Sequence, residues 1–370
     1  MDRLSTDAFV EILQRLPHSC QRRVRHVNRH WRDVVNNHIP ETQSTPKLLI
    51  WSIHRRIAYV ADDLSTSSTS SCTELWRPPE PRTHHYRLIG TCNGLLCLYH
   101  RGGILGGAIT VVNPVTRETL PLPPMPCANL FIGRLPWKDF NDAYSFAYHP
   151  TTGRFKVVHV PCSYERVYDF HDVHVFTLGK ATWQEVSARP SGATCKLAAG
   201  VVSIGGMTYW VTITRGAAAK IVSLDLTDDR VVSTTTPVPA RHDRCRLAEV
   251  HGRLAYVVCP DVWVLEEGKR WIHRYSIEQS IPRPHFIHGE HVLTCNSTST
   301  SVFVRRPNGT PSSDEELECS DGVVVVGHDQ EKTLVAVMKR EDRCYDHYCY
   351  ETFPYQKTME PLNIYAANRH

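Results

Sequence analysis

No run of apolar residues in this chain approaches the roughly 18 that a membrane-spanning helix needs. Neither sign of charge is in large surplus: 42 Lys and Arg stand against 38 Asp and Glu, a formal +4 with the 21 histidines neutral. Spread over 370 residues, that excess makes no strong field for a nucleic acid or an anionic membrane, and neither is expected as a partner. None of the 13 cysteines is paired as Cys-x-x-Cys. Their odd number and their place inside apolar runs, such as Cys97 in GLLCLY and Cys259 in LAYVVC, point to reduced thiols that behave as small buried hydrophobes. The opening MDRLSTDAFVEILQRLP alternates charged with apolar residues and has no signal-peptide core, so the expected compartment is cytoplasm or nucleus. On that expectation the sequons at Asn296 and Asn308 are chance matches.

The motifs of nucleophilic and nucleotide chemistry are missing as well. There is no Gly-x-Ser-x-Gly elbow, P-loop, Rossmann glycine fingerprint or His-Glu-x-x-His. The glycine pairs 102–103, 106–107 and 205–206 read as hairpin turns rather than phosphate cradles.

What is present divides the chain near residue 40. Phe9, Ile12, Leu13 and Leu16 fall at i, i+3, i+4 and i+7, one apolar stripe of an α-helix. Ser5 can cap its N-terminus, Asp7 and Glu11 suit the positive end of its dipole, and Pro17 stops it. Val24, Val27, Trp31, Val34 and Val35 continue helical spacing, with a break expected near Asn28. Two or three short helices in 40 residues cannot bury their apolar faces alone and must dock on something else. A basic face is usually solvated, and with seven Lys and Arg against four Asp and Glu this one is not read as a phosphate binder.

Leu4, Asp7, Glu11-Ile12-Leu13, Arg15-Leu16-Pro17, Arg23, Arg25, Val27 and Trp31-Arg32 resemble, in order and spacing, the F-box of plant proteins. The chain departs from that pattern at Ser5, where Pro is usual, and at Gln21 and Arg22, where apolar residues are usual. The resemblance implies helices that interlock with a Skp-type adaptor, which in turn joins a cullin scaffold and a RING subunit. A helical hairpin with apolar anchors is physically suited to such helix-in-groove binding. Leu4, Phe9, Ile12, Leu13, Leu16, Pro17, Val24, Val27 and Trp31 are the expected adaptor contacts, some of which must also form the small core of this segment.

From residue 41 onward the pattern changes. Apolar or alternating runs of five to eight residues recur between turn formers, among them KLLIWSI (47–53), GLLCLYH (94–100), RFKVVHV (154–160), MTYWVTI (207–213), RLAYVVC (253–259), GVVVVG (322–327) and TLVAVMK (333–339). Asn113-Pro114-Val115-Thr116, His149 to Gly153 and Asp225 to Asp228 read as turns in which a side chain at the first position accepts a backbone bond. Turn markers recur every 30 to 47 residues, the scale of a four-stranded blade, which predicts a mainly β propeller-like domain of about six degenerate blades. A pair of two-sheet sandwiches is the open alternative. The aromatic-rich stretch after Glu341 is a candidate closing strand, and loops are expected near 64–85 and 307–318.

Gly90 to Cys97, Val112 to Arg117, Leu120 to Pro123, Phe146 to His149, Val175 to Leu178 before Trp183, and Val262 to Leu265 before Trp271 resemble plant F-box-associated domains. That resemblance implies a kelch- or galactose-oxidase-like propeller that holds target proteins.

The histidines require an enzyme to be weighed. His285, His288 and His291, with Glu290, could line one side of a turn and hold zinc or copper, although a polar inter-strand loop is the simpler reading. Cys344, Asp346, His347 and Cys349 are crowded for a tetrahedral site, and the tyrosines between them suggest an alternating strand. His84-His85 and His242-Asp243 lie in Pro-containing stretches. No catalytic residue, metal or cofactor is expected. The overall expectation is a non-catalytic F-box protein, with F-box at 1–40 and propeller at 41–370, serving as substrate-recognition subunit of a ubiquitin ligase. A propeller enzyme, either metal oxidase or glycan hydrolase, and a stand-alone binding propeller stay open at this point.

Overall fold

The computed structural model describes residues 5–16, 24, 30, 31, 33, 34, 46–53, 55–61, 72–79, 85–101, 107–126, 144–150, 152–160, 172–188, 199–212, 220–234, 245–258, 261–266, 270–276, 284–288, 291–295, 301–305, 328, 329, 332–337 and 350–366. One α-helix, α1 (Thr6–Gln14), opens the N-terminal segment, Val24, His30, Trp31, Asp33 and Val34 are also helical, and from residue 46 onward the described chain is almost entirely strand and turn.

The strands come in groups. The first is β1 (Lys47–Ser52), β2 (Ile57–Ala61) and β3 (Cys72–Trp76). The next is β4 (His85–Cys92), β5 (Leu95–Arg101), β6 (Ala108–Val112) and β7 (Thr119–Pro121). Then come β8 (Tyr144–His149), β9 (Arg154–His159), β10 (Asp172–Thr177) and β11 (Gln184–Ser187). A fourth group is β12 (Val201–Ile204), β13 (Met207–Thr212), β14 (Lys220–Asp225) and β15 (Arg230–Thr234). A fifth is β16 (Cys245–Val250), β17 (Arg253–Val258), β18 (Asp261–Glu266) and β19 (Arg270–Ser276). Last are β20 (Pro284–His288), β21 (His291–Cys295), β22 (Ser301–Arg305), β23 (His328–Asp329), β24 (Lys332–Val337) and β25 (Tyr350–Tyr355).

Hydrogen bonding sorts them into five four-stranded antiparallel blades: β25-β1-β2-β3 (blade 1), β4–β7 (blade 2), β8–β11 (blade 3), β12–β15 (blade 4) and β16–β19 (blade 5). The remaining sheet, β20-β21-β22-β24-β23, has five strands, one of them only two residues long. The sequence led to about six degenerate blades, whereas the described residues form five four-stranded blades. The turn spacing that suggested the count measures repeat length, and repeat length does not report how many strands a stretch contributes. The inner strands β25, β4, β8, β12, β16 and β20 are neighbours in that order, and β20 neighbours β25, so the arrangement is a closed ring.

The aromatic-rich C-terminal stretch does supply the closing strand. β25 lies beside β1, with Lys47 opposite Tyr355 and Ser52 opposite Tyr350. Closure of this kind removes the open edges that β1 and the ring would otherwise present. One stretch expected as loop, 64–85, contains β3, whose five residues are too short to show an alternating pattern above the noise of their Ser/Thr-rich surroundings. The expected strand at 322–327 and loop at 307–318 lie outside the described residues.

Blades stack face to face, so many strands are covered on both sides. All six residues of β8 and five of six in β1 and β9 are buried, which is why these runs do not alternate strictly between apolar and polar residues in sequence. Phe146, Phe155, Val175, Trp183 and Val222 belong to one core shared by blades 2, 3 and 4. Trp51, Leu88, Leu96 and Tyr355 join blade 1 to blade 2, and Val211, Ile221, Leu247 and Tyr256 join blade 4 to blade 5. Trp51 and Trp210 have no exposed surface, and burying side chains of this size contributes about 2 to 3 kcal/mol each.

Candidate functional site

The N-terminal site starts from α1. Ser5 stands in extended conformation, and its hydroxyl accepts the Ala8 backbone N–H at 3.3 Å, one of the orphan donors of a helix start. Asp7 lies in the first turn, where the positive end of the helix dipole favours it. On the wet side Arg15 pairs with Glu11 one turn earlier at 2.5 Å. On the other side Leu13, 1% exposed, meets Val34, 3% exposed, and Phe9, Val10, Leu16 and Val24 pack around that pair. Phe9 also meets the Trp31 ring edge-on, with centroids 4.8 Å apart.

This geometry separates the expected adaptor contacts. Phe9, Leu13, Leu16, Val24 and Trp31 are brought together as the segment's own small core. Ile12, one position from Leu13, is 47% exposed, a large apolar side chain left facing water. Leu4, Pro17 and Val27 lie outside the described residues. Val34, legible in the sequence only as part of the second stripe, proves to be the partner of Leu13.

In blades 2 to 4 the two ends of the ring are unlike. Each of these three blades is an antiparallel meander, so its first and third connections lie at one end and its second connection and exit at the other. In blades 2 to 4 the first end carries tight connections of two to six residues: 93–94, 113–118, 150–153, 178–183, 205–206 and 226–229. At the opposite end the strands are separated by six to 22 residues, 102–107, 122–143, 160–171, 188–200, 213–219 and 235–244, most of which lie outside the described residues. Long connections on a rigid ring are where recognition surface is usually built.

The tight end is cross-linked by polar side chains. The Thr152 N–H donates to His149 Nδ1 at 3.0 Å, so the neutral ring carries its proton on Nε2 and donates to Thr227 Oγ1 at 2.9 Å, joining blade 3 to blade 4. Burial, reinforced by the Lys156 charge, lowers the His149 pKa from its usual value. Lys156 itself is buried and donates to the Leu226 carbonyl at 2.7 Å and to Asp229 Oδ1 at 2.6 Å. Asn113, with no exposed surface, accepts the Val115 and Thr116 N–H groups on its Oδ1, the side-chain turn expected for Asn-Pro-Val-Thr.

Among the described residues no group of three or more His, Cys, Asp or Glu is placed to hold a metal. The stretch with His285, His288 and His291 is not a loop: β20 and β21 form a hairpin with His288 directly opposite His291. His84, His242, Asp243, Glu290, Cys344, Asp346, His347 and Cys349 lie outside the described residues. Sequence reasoning missed a different pair. His159 on β9 and His174 on β10 sit opposite each other with ring centroids 5.8 Å apart, and Tyr144 covers His159 at 4.6 Å. Burial first, and the neighbouring His174 second, push the His159 pKa down to about 3. Each histidine adjoins valines in its strand, Val157-Val158 before His159 and Val173 and Val175 around His174, the one signal that could have marked them as buried.

Comparison with known proteins agrees with this architecture. Residues 58–308 match the F-box associated beta propeller domain family, and residues 1–42 match the F-box domain family. The chain is 25% identical to F-box protein At3g07870 of Arabidopsis thaliana, over 76% of this chain and 74% of that protein. It is also 25% identical to F-box protein At1g52495 of Arabidopsis thaliana, over 72% of this chain and 66% of that protein. Among solved structures, a nidogen/laminin complex is 11% identical, covering 70% of this chain and 89% of that one with a TM-score of 0.44. With an F-box domain ahead of a ring of blades that matches over two thirds of its length, the chain belongs to the family of F-box proteins bearing an F-box associated β-propeller domain.

Proposed function

We propose that this chain is the target-recognition subunit of a Skp-cullin-F-box ubiquitin ligase. The observation that carries the reading is the union, in one chain, of an F-box domain at 1–42 and a propeller domain at 58–308. The F-box docks on a Skp-type adaptor, with Ile12 available to reach it directly and the core around Leu13 and Val34 holding the helix in shape. The adaptor links to cullin and RING subunits, and the propeller holds a target protein. In this role the chain needs no catalytic residue: tethering a target beside a charged conjugating enzyme raises its effective concentration, and the chemistry belongs to that enzyme. It works in the cytoplasm or the nucleus. The end with long connections is the surface we assign to the target.

Co-expression with a Skp-type adaptor tests the reading. The adaptor is expected to co-purify with the full chain and to be lost when residues 1–42 are removed. Equal recovery with and without those residues, or no recovery with the full chain, overturns it.

A further inference from the structure

Past β25 the chain stays on the propeller. Residues 356–366 run across the tight connections of blades 2 and 3, and each contact there has the form of a peptide held in a groove. Gly94, at φ +79°, lets the backbone come close: a Cβ there would lie 2.1 Å from the Gln356 carbonyl oxygen. The Asn113 side-chain amide donates to the Glu360 carbonyl at 2.8 Å and to the Thr358 carbonyl at 3.4 Å. The Leu362 N–H donates to Glu118 Oε2 at 2.9 Å. Leu362 and Tyr365 are buried in the core of blades 2 to 4, where the Tyr365 ring stands edge-on to Phe155 at 6.0 Å and passes over Gly179. The Tyr365 hydroxyl donates to Glu360 Oε1 at 2.5 Å. Met359 and Ile364, in contrast, are 58% and 51% exposed.

The receiving side chains are set by their own turn. Asn113 Oδ1 is held by the Val115 and Thr116 N–H groups, and Glu118 Oε2 also accepts the Thr116 hydroxyl at 3.1 Å. Donor and acceptor are therefore aimed at the backbone of residues 358–362 by local geometry, a form of preorganisation that lowers the cost of binding. Main-chain contacts accept any sequence, whereas the burial of Leu362 and Tyr365 and the internal Glu–Tyr bond select.

We propose that the tight end of blades 2 and 3 is a peptide-binding groove that takes segments of the form Glu-x-Leu-x-x-Tyr, closed by a 3-10 turn at their last three residues, and that its resident ligand is the chain's own residues 356–366. The tail begins directly after β25, so its effective concentration at the groove is high and it excludes a free peptide until it is cut or displaced. This inference is independent of the ligase reading.

The test inserts a site-specific protease sequence between Tyr355 and Gln356, folds the full chain and then cuts it. The cut tail is expected to stay bound through gel filtration and to exchange with a fluorescein-labelled synthetic peptide of residues 356–370. In that peptide Leu362→Ala and Tyr365→Ala weaken binding at least tenfold, while Met359→Ala and Ile364→Ala change it less than twofold; the uncut chain binds at least tenfold more weakly than the cut one. Loss of the tail on cutting with no rebinding, or equal binding of all four variant peptides, overturns the proposal. A second measurement uses the chain without the insertion: Tyr365→Ala speeds tryptic cleavage after Lys357 at least tenfold and Ile364→Ala does not, and equal rates count against the groove.

Discussion

Asn113 and Glu360 stand 247 residues apart in the chain and are joined by a 2.8 Å hydrogen bond from the Asn113 side-chain amide to the Glu360 carbonyl. The same side chain shapes its own turn through its oxygen, so one residue both builds a local structure and ties the C-terminal segment to blade 2.

That double role separates two substitutions. Asn113→Ala removes both halves and leaves buried backbone groups unpaired, with an expected loss of about 3 kcal/mol in urea unfolding. Asn113→Asp keeps the acceptor for Val115 and Thr116 but sets a carboxylate oxygen against the Glu360 carbonyl, and is expected to be at least as damaging at pH 7. A neutral result for Asn113→Asp would show that the tail bond contributes nothing.

In the N-terminal segment, neighbours Ile12 and Leu13 are expected to respond differently. Leu13→Ala opens a cavity against Val34 and lowers stability by about 2 to 5 kcal/mol. Ile12→Ala, at an exposed position, changes stability by less than about 0.5 kcal/mol. It weakens binding to a Skp-type adaptor nonetheless, read by titration calorimetry. Unchanged adaptor affinity in Ile12→Ala removes this residue from the interface.

The pair between Lys156 and Asp229 has side chains only 5% and 11% exposed. Lys156→Met strands the carboxylate and the Leu226 carbonyl, for an expected loss of about 3 to 5 kcal/mol. Adding Asp229→Asn recovers part of that loss, because no buried charge is then left alone. Strict additivity in the double-mutant cycle would show that the two do not interact.

Acid sensitivity follows from the buried histidines. His159 is held neutral in the fold, with its pKa pushed down to about 3, and burial lowers His174 and His149 as well. The unfolded chain takes up protons on these rings below about pH 6.5, while the folded one takes them up only at lower pH. Their contribution to stability is therefore complete above about pH 6.5 and is lost as pH falls from there toward 3 for His159. Urea midpoints at a series of pH values should fall more steeply for the natural chain than for His159→Gln. Identical slopes would exclude His159 as a source of the effect.

Much of the fold is legible residue by residue. Ser5 as cap, the stripe of Phe9, Leu13 and Leu16, the Asn113 turn and the Gly205-Gly206 hairpin all depend on groups within a few positions of one another. Strand runs such as 47–52 and 154–159 show in the sequence because stacked blades bury both of their sides. β3 did not show, because its pattern is short and its surroundings polar. The candidate site was legible only in part: the nine expected contacts include Ile12, but helical spacing alone cannot say that Leu13 faces Val34 while Ile12 faces water.

The sequence by itself determined a helical N-terminal segment, a long β-rich remainder and the two family resemblances, since periodicity, capping and turn chemistry are local properties of the chain. Only the tertiary structure decided that β25 pairs with β1, that the blades of four strands number five, that His159 and His174 are dry, and that Asn113 and Glu118 hold residues 358–362. Each of these joins groups that are distant in sequence or buried by distant ones. They follow from ring closure, and closure is a property of the whole chain rather than of any stretch within it.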